Sequence, residues 1–103
     1  MKHFQDEENA LNLKIRSLVT LHDPNWELCF GPNMPSEGRA FDMNMASAAL
    51  RAISRGWNGV KKELFLRYLS TAGGSARGTF DLLTAPPWAY REAILKTEGI
   101  PLV

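Results

Sequence analysis

From Glu7 to His22 the apolar residues Leu11, Ile15, Leu18 and Val19 recur at three- and four-residue steps, the spacing that gathers side chains on one face of a helix. The pattern predicts a first helix over 7–22. Asp6, Glu7 and Glu8 stand where a helix N-terminus favours negative charge, and Asp23-Pro24 stops the run because a residue before proline avoids the helical region. His22 falls on the apolar stripe in the last turn, a position from which an imidazole contacts the final carbonyls.

The period then changes. In 25–30, Trp26, Leu28 and Phe30 alternate with Glu27 and Cys29 at the two-residue step of a half-buried strand. Residues 31–38, Gly-Pro-Asn-Met-Pro-Ser-Glu-Gly, form a turn-rich loop, and Arg39-Ala40-Phe41-Asp42-Met43 reads as a short return strand. A hairpin of this size is marginal alone and has to lie against helices.

Three helices follow in the pattern. Asp42 or Asn44 is placed to cap a run to about Arg55 with Ala46, Ala49, Leu50 and Ile53 inward, and Gly56 is the expected left-handed stop. Asn58-Gly59 opens the next helix, which runs through Ser70 to the stop at Gly73-Gly74. Its apolar residues Val60, Leu64, Phe65, Leu66, Tyr68 and Leu69 cover about two thirds of the helical circumference, which predicts the most buried helix of the fold. Residues 75–78 read as a loop, and 79–84 fit a strand and a helical turn equally. Pro86-Pro87 suits the first turn of a last helix ending at Glu98-Gly99, with Glu92 and Lys96 at the favourable four-residue spacing.

The expected fold class is therefore α+β and helix-dominated: an N-terminal helix, a small β-hairpin, then about three helices around a central apolar helix. With 103 residues and 45% hydrophobic content, the chain has the bulk for one compact domain over 1–103, with 1–6 and 100–103 as loose ends. The lone Cys29 allows no internal disulfide and no multi-cysteine zinc site. No stretch reaches the roughly 20 apolar residues of a membrane span, and 1–9 has the wrong chemistry for a signal or transit peptide. The expected location is cytoplasmic, with no membrane partner.

Charge adds a partner to this picture. Between Met43 and Phe80, Arg51, Arg55, Lys61, Lys62, Arg67 and Arg77 face the single acid Glu63, a net of +5 inside a chain whose total is +1. Polarity of this kind steers encounters with an oppositely charged surface. Lys61 and Lys62 also stand in the first turn of a helix, where cations oppose the dipole at a few tenths of a kcal/mol each. Either an acidic partner holds them there, or their alkyl stems cover apolar surface. Trp57, in the tight Arg55–Gly59 connection, is either a binding hot spot beside these cations or a plug closing the ends of two helices. The expected partner-binding set is Arg51, Arg55, Trp57, Lys61, Lys62 and Arg77.

Catalytic chemistry has no complete constellation. His22-Asp23 is the only adjacent His/acid pair, further metal ligands at helical or strand spacing do not appear, and nothing around Cys29 lowers a thiol pKa. The Gly73–Gly78 turn with Arg77 lacks the Walker lysine and does not follow a strand, so it reads as a connector. No enzyme, cofactor or metal is expected. A helix-turn-helix fits poorly, because the helix over 59–70 is too apolar around its circumference to lie in a groove of DNA.

Small chains without catalytic residues act by occluding or recruiting something larger. The expectation is a non-enzymatic protein-interaction module, an inhibitor or regulator encoded by a phage or other mobile element that binds a larger host protein complex through an acidic surface. The alternative is a small nucleic-acid-binding regulator using the basic 51–67 surface. A third reading, a homo-oligomer assembled through Met34, Met43 and Met45, rests on the adaptability of methionine contacts.

Overall fold

The computed structural model describes residues 2–25, 40–72 and 85–102. Among them are four helices and no strand: α1 (Lys2–His22), α2 (Met43–Ser54), α3 (Gly59–Ser70) and α4 (Pro87–Thr97). The α+β expectation is thereby corrected to all-helical. The return strand predicted over 39–43 is absent: 40–42 is irregular and Met43 opens α2, with Asp42 as its N-cap accepting a hydrogen bond from the Met45 N–H at 2.8 Å. A carboxylate that satisfies an otherwise orphaned N–H outweighs five residues of apolar-polar alternation. The partner strand (26–30), the loop (31–38), the glycine stop at 73–74, the 75–78 loop and the ambiguous 79–84 stretch lie outside the described residues.

Helix α1 begins at Lys2 rather than at Glu7, so Asp6, Glu7 and Glu8 sit beyond its first turn and do not complement its dipole. It ends where the sequence predicts, with the Asp23 N–H closing onto the Val19 carbonyl at 2.7 Å. Helix α2 ends without a left-handed residue. Its last turn tightens into bonds from the Gly56 N–H to Ile53 O and from the Trp57 N–H to Ser54 O, so Gly56 is not the left-handed stop; a Cβ there would meet His22 Nδ1 at an ordinary 3.7 Å. Asn58 caps α3 by accepting from the Lys61 N–H at 2.9 Å. Pro86 and Pro87 start α4, and Gly99 at φ 74° ends it in the left-handed conformation.

The core does not centre on α3. Only Phe65 and Leu69 of that helix are buried, while Val60 is 66% and Leu66 is 51% exposed. Helix α4 is the hub: it packs against α1, α2 and α3 and buries Ala89, Arg91, Ala93, Ile94, Leu95 and Thr97. Its partner α2 buries Met45, Ala46, Ala48, Ala49, Ala52 and Ile53. The buried alanines of both helices belong to one cluster with Ile15, Val19, Ile53 and Leu95, and their short side chains let neighbouring helices pack closely. The chain after α4 joins it. Ile100 and Leu102 pack on the core, and Lys14 Nζ donates to the Pro101 carbonyl at 2.7 Å.

One charged side chain is built into this core. Arg91 of α4, 3% exposed, donates from both terminal nitrogens to the Glu8 carboxylate at 2.8 Å, donates to Asn12 Oδ1 at 2.9 Å and lies over the Phe41 ring at 5.2 Å. The planar guanidinium suits this bidentate, stacked setting in a way an ammonium would not. It ties α4 to α1 and to the segment entering α2.

Candidate functional site

Two arrangements collect the charged residues that the sequence singles out. The first closes one end of the bundle. Glu98, the residue after α4, is an acid at a helix C-terminus and so opposes the dipole; Lys61, in the first turn of α3, is a cation at the wrong end in the same sense. Each is the other's partner. Lys61 Nζ lies 3.3 Å from Glu98 Oε2, and Trp57 Nε1 donates to Glu98 Oε1 at 2.5 Å. His22 Nε2, at the end of α1, stands 3.8 Å from the same carboxylate, whose side chain is 10% exposed. Beside this cluster Arg55 pairs with Asp23 at 3.5 Å.

Trp57 is therefore a plug. It is 7% exposed, tilted against Phe65 with ring centroids 5.5 Å apart, and its one polar atom is satisfied. The four-residue connection 55–58 between α2 and α3 sets the ring against Phe65 of α3 and Glu98 at the end of α4. Of the expected partner-binding set, Trp57, Lys61 and Arg55 are engaged within the molecule. His22, whose expected contact was the last carbonyls of its own helix, instead faces Glu98 across the bundle. Glu98 itself drew no attention in the sequence; the signal was an acid at a helix C-terminus, a place where acids are costly.

The second arrangement is the solvent side of α3. Val60, Lys62, Glu63, Leu66 and Arg67 are all exposed; Val60, Glu63 and Arg67 follow one another at three- and four-residue steps opposite Phe65 and Leu69, with Leu66 and Lys62 toward one edge of that arc. Lys62 and Arg67 make no ion pair among the described residues. Leu66 lies one turn from Lys62 and immediately precedes Arg67. Arg51, in the last turn of α2, is exposed and likewise unpaired among the described residues, whereas Arg77 lies outside them. Of the methionines, Met45 is fully buried in the core, Met43 is 40% exposed and Met34 lies outside the described residues, so these three do not form one face.

Among the described residues no group of three or more His, Cys, Asp or Glu side chains is placed to hold a metal ion, and no helix is long and apolar enough to cross a membrane. No protein-family model, no curated protein and no solved structure matches the chain.

Proposed function

We propose that the protein is a non-enzymatic protein-interaction module, an inhibitor or regulator that acts by binding a larger protein complex, and that the outer side of α3 is its contact face. The observation that carries this reading is the placement of Leu66 and Val60. Both are large apolar side chains in water on a helix whose other side is anchored in the core, and Lys62 and Arg67, which make no ion pair among the described residues, are exposed on either side of Leu66. Such a face fits an apolar spot with an acidic rim on the partner. The apolar contact supplies affinity, and the cations supply orientation and on-rate.

The contact set differs from the one expected from sequence alone. Trp57 leaves it because a buried, hydrogen-bonded indole has nothing to offer a partner, and Lys61 leaves it because Glu98 occupies its charge. Lys62, Arg67 and Leu66 carry the proposal, with Arg51 as a further exposed cation. The test is capture from nuclease-treated lysate by the wild-type protein and by Leu66→Asp and Lys62→Glu/Arg67→Glu variants, each checked for an unchanged melting temperature. A protein retained by the wild type and lost by both variants is the expected result. Equal retention by all three sinks the reading, and a ligand that disappears with nuclease and falls off steeply with salt transfers the same face to nucleic acid.

A further inference from the structure

Of the six asparagines in the chain, Asn58 alone is followed by glycine. The dipeptide stands where the 55–58 connection enters α3, and Asn58, Gly59 and Val60 are all exposed. An asparagine amide is open to attack by the backbone nitrogen of the next residue, the ring-forming step that makes this side chain thermolabile. The step needs a free nitrogen, room for the ring to close and a polarised carbonyl.

This helix start supplies all three. The Gly59 N–H is one of the first in α3, which have no acceptor inside the helix, and it makes no hydrogen bond among the described residues. Room comes from the missing side chain. The ring closes when ψ of Asn58, at −179°, turns to bring the Gly59 nitrogen to Cγ; a Cβ on residue 59 obstructs that turn, and no atom lies within 4 Å of where one would stand. Asn58 Oδ1 already accepts from the Lys61 N–H at 2.9 Å, and the orphaned N–H groups of the first turn are donors for the charge that develops on this oxygen. Lys61 and Lys62 oppose the α3 dipole, yet the same positive field favours an anion forming at Asn58.

We propose that Asn58-Gly59 is a self-modification site, at which the folded protein slowly converts Asn58 to aspartate and isoaspartate without an enzyme. The Gly59 nitrogen gives its proton to hydroxide and bonds to Asn58 Cγ; the Cγ–Nδ2 bond breaks, and Nδ2 leaves as ammonia with a proton from water. One water then opens the cyclic imide. Attack at Cγ leaves the backbone path unchanged and a carboxylate on position 58, whereas attack at the Asn58 backbone carbonyl routes the chain through Cβ and Cγ. The balance is one amide and one water to one carboxylate and one ammonium, with no oxidant or reductant.

The two products act differently on the bundle. An aspartate still caps α3 and complements its dipole, and it lowers the formal net charge of +1 by one unit. An isoaspartate inserts a backbone carbon between Trp57 and α3, which disturbs the seating of the indole on Phe65 and Glu98.

Peptide mapping of the folded protein after storage in heavy-oxygen water at mildly alkaline pH tests the proposal. Cleavage after Arg55 and Lys61 isolates Asn58 on peptide 56–61, which is expected to take up heavy oxygen with the mass gain of an amide-to-acid change, faster as pH rises. Peptide 40–51, carrying Asn44, is expected to stay unchanged. Gly59→Ala is expected to lose most of the conversion with unchanged circular dichroism, and Lys62→Gln to slow it about two- to five-fold. A peptide 56–61 that stays unmodified in the folded protein overturns the inference, and its conversion when free in solution would then identify the cap as protection. Conversion of Asn44 at the same rate overturns it too, as does a wild-type rate in Lys62→Gln. Asn58 is outside the contact set on α3, so this result and partner capture fail independently.

Discussion

Arg91 and Trp57 show how a polar atom becomes part of a core. The Arg91 guanidinium gives up water only because Glu8, Asn12 and Phe41 replace it, and removing one partner leaves a buried charge uncompensated. Arg91→Ala, which removes the guanidinium from Asn12 and Glu8, is expected to lower stability by about 3 to 5 kcal/mol in urea unfolding. Arg91→Lys should recover only part of that loss, since one ammonium cannot reproduce the two parallel bonds to Glu8. The indole of Trp57 poses a smaller version of the same problem. Glu98→Ala leaves its N–H without an acceptor and is expected to cost about 1 to 3 kcal/mol, with the Trp57 Nε1–H resonance shifting; Glu98→Gln keeps an acceptor and should cost less. Neither network was legible in the chain, because Glu8 and Arg91 are 83 residues apart and Trp57 and Glu98 are 41 apart. What the chain did show was two cations at the wrong end of a helix, and the structure sets Lys61 against Glu98, while Lys62 makes no ion pair among the described residues.

At the scale of elements, the start and stop residues were the most legible. Asp42, Asn58, Pro86-Pro87 and Gly99 act where local chemistry dictates, and Asp42→Ala and Asn58→Ala are each expected to cost about 1 kcal/mol, measured by chemical unfolding. The same locality explains the misread strand at 39–43. Alternation over five residues is a weak signal, and it stood against a capping aspartate followed by an alanine-rich helical run. Burial was the least legible property. A helix apolar on most of its circumference reads as central, yet α3 sits at the edge and shows Val60 and Leu66 to solvent. An apolar circumference counts every surface that avoids water and does not say whether this chain or another molecule covers it. Leu66→Ala is therefore expected to change stability by under about 1 kcal/mol, against about 2 to 5 kcal/mol for Ile94→Ala in the hub helix.

For the molecule as a whole, charge summed over segments located the basic region but overstated the free charge in it. Arg55 and Lys61 are paired internally, while Arg51, Lys62 and Arg67 make no ion pair among the described residues. Reversing Lys62 and Arg67 to Glu should leave the melting temperature nearly unchanged, because exposed unpaired charges contribute little to folding, and any loss of partner capture in that variant then reports on contact alone. The packing hierarchy makes a separate statement about dynamics. Amide exchange is expected to be slowest in the middle of α4 and α2, with the exposed side of α3 opening sooner; equal protection along α3 and α4 would contradict the placement of the hub.

The buried alanines of α2 and α4 set a rule for which changes this protein tolerates. Ala46, Ala49 and Ala52 on one helix and Ala89 and Ala93 on the other are at most 1% exposed, so a larger side chain at any of them meets packed neighbours. There is almost nothing at these positions to delete. Saturation mutagenesis should accordingly show an asymmetric profile, with Ala49 and Ala93 accepting Gly or Ser at a modest cost and rejecting Leu or Phe, where added methylenes force the helices apart at about 1 to 3 kcal/mol or more. Sequence drift in this fold is bounded by a ceiling on side-chain volume at these buried positions, and a chain that grew there would have to become a different bundle.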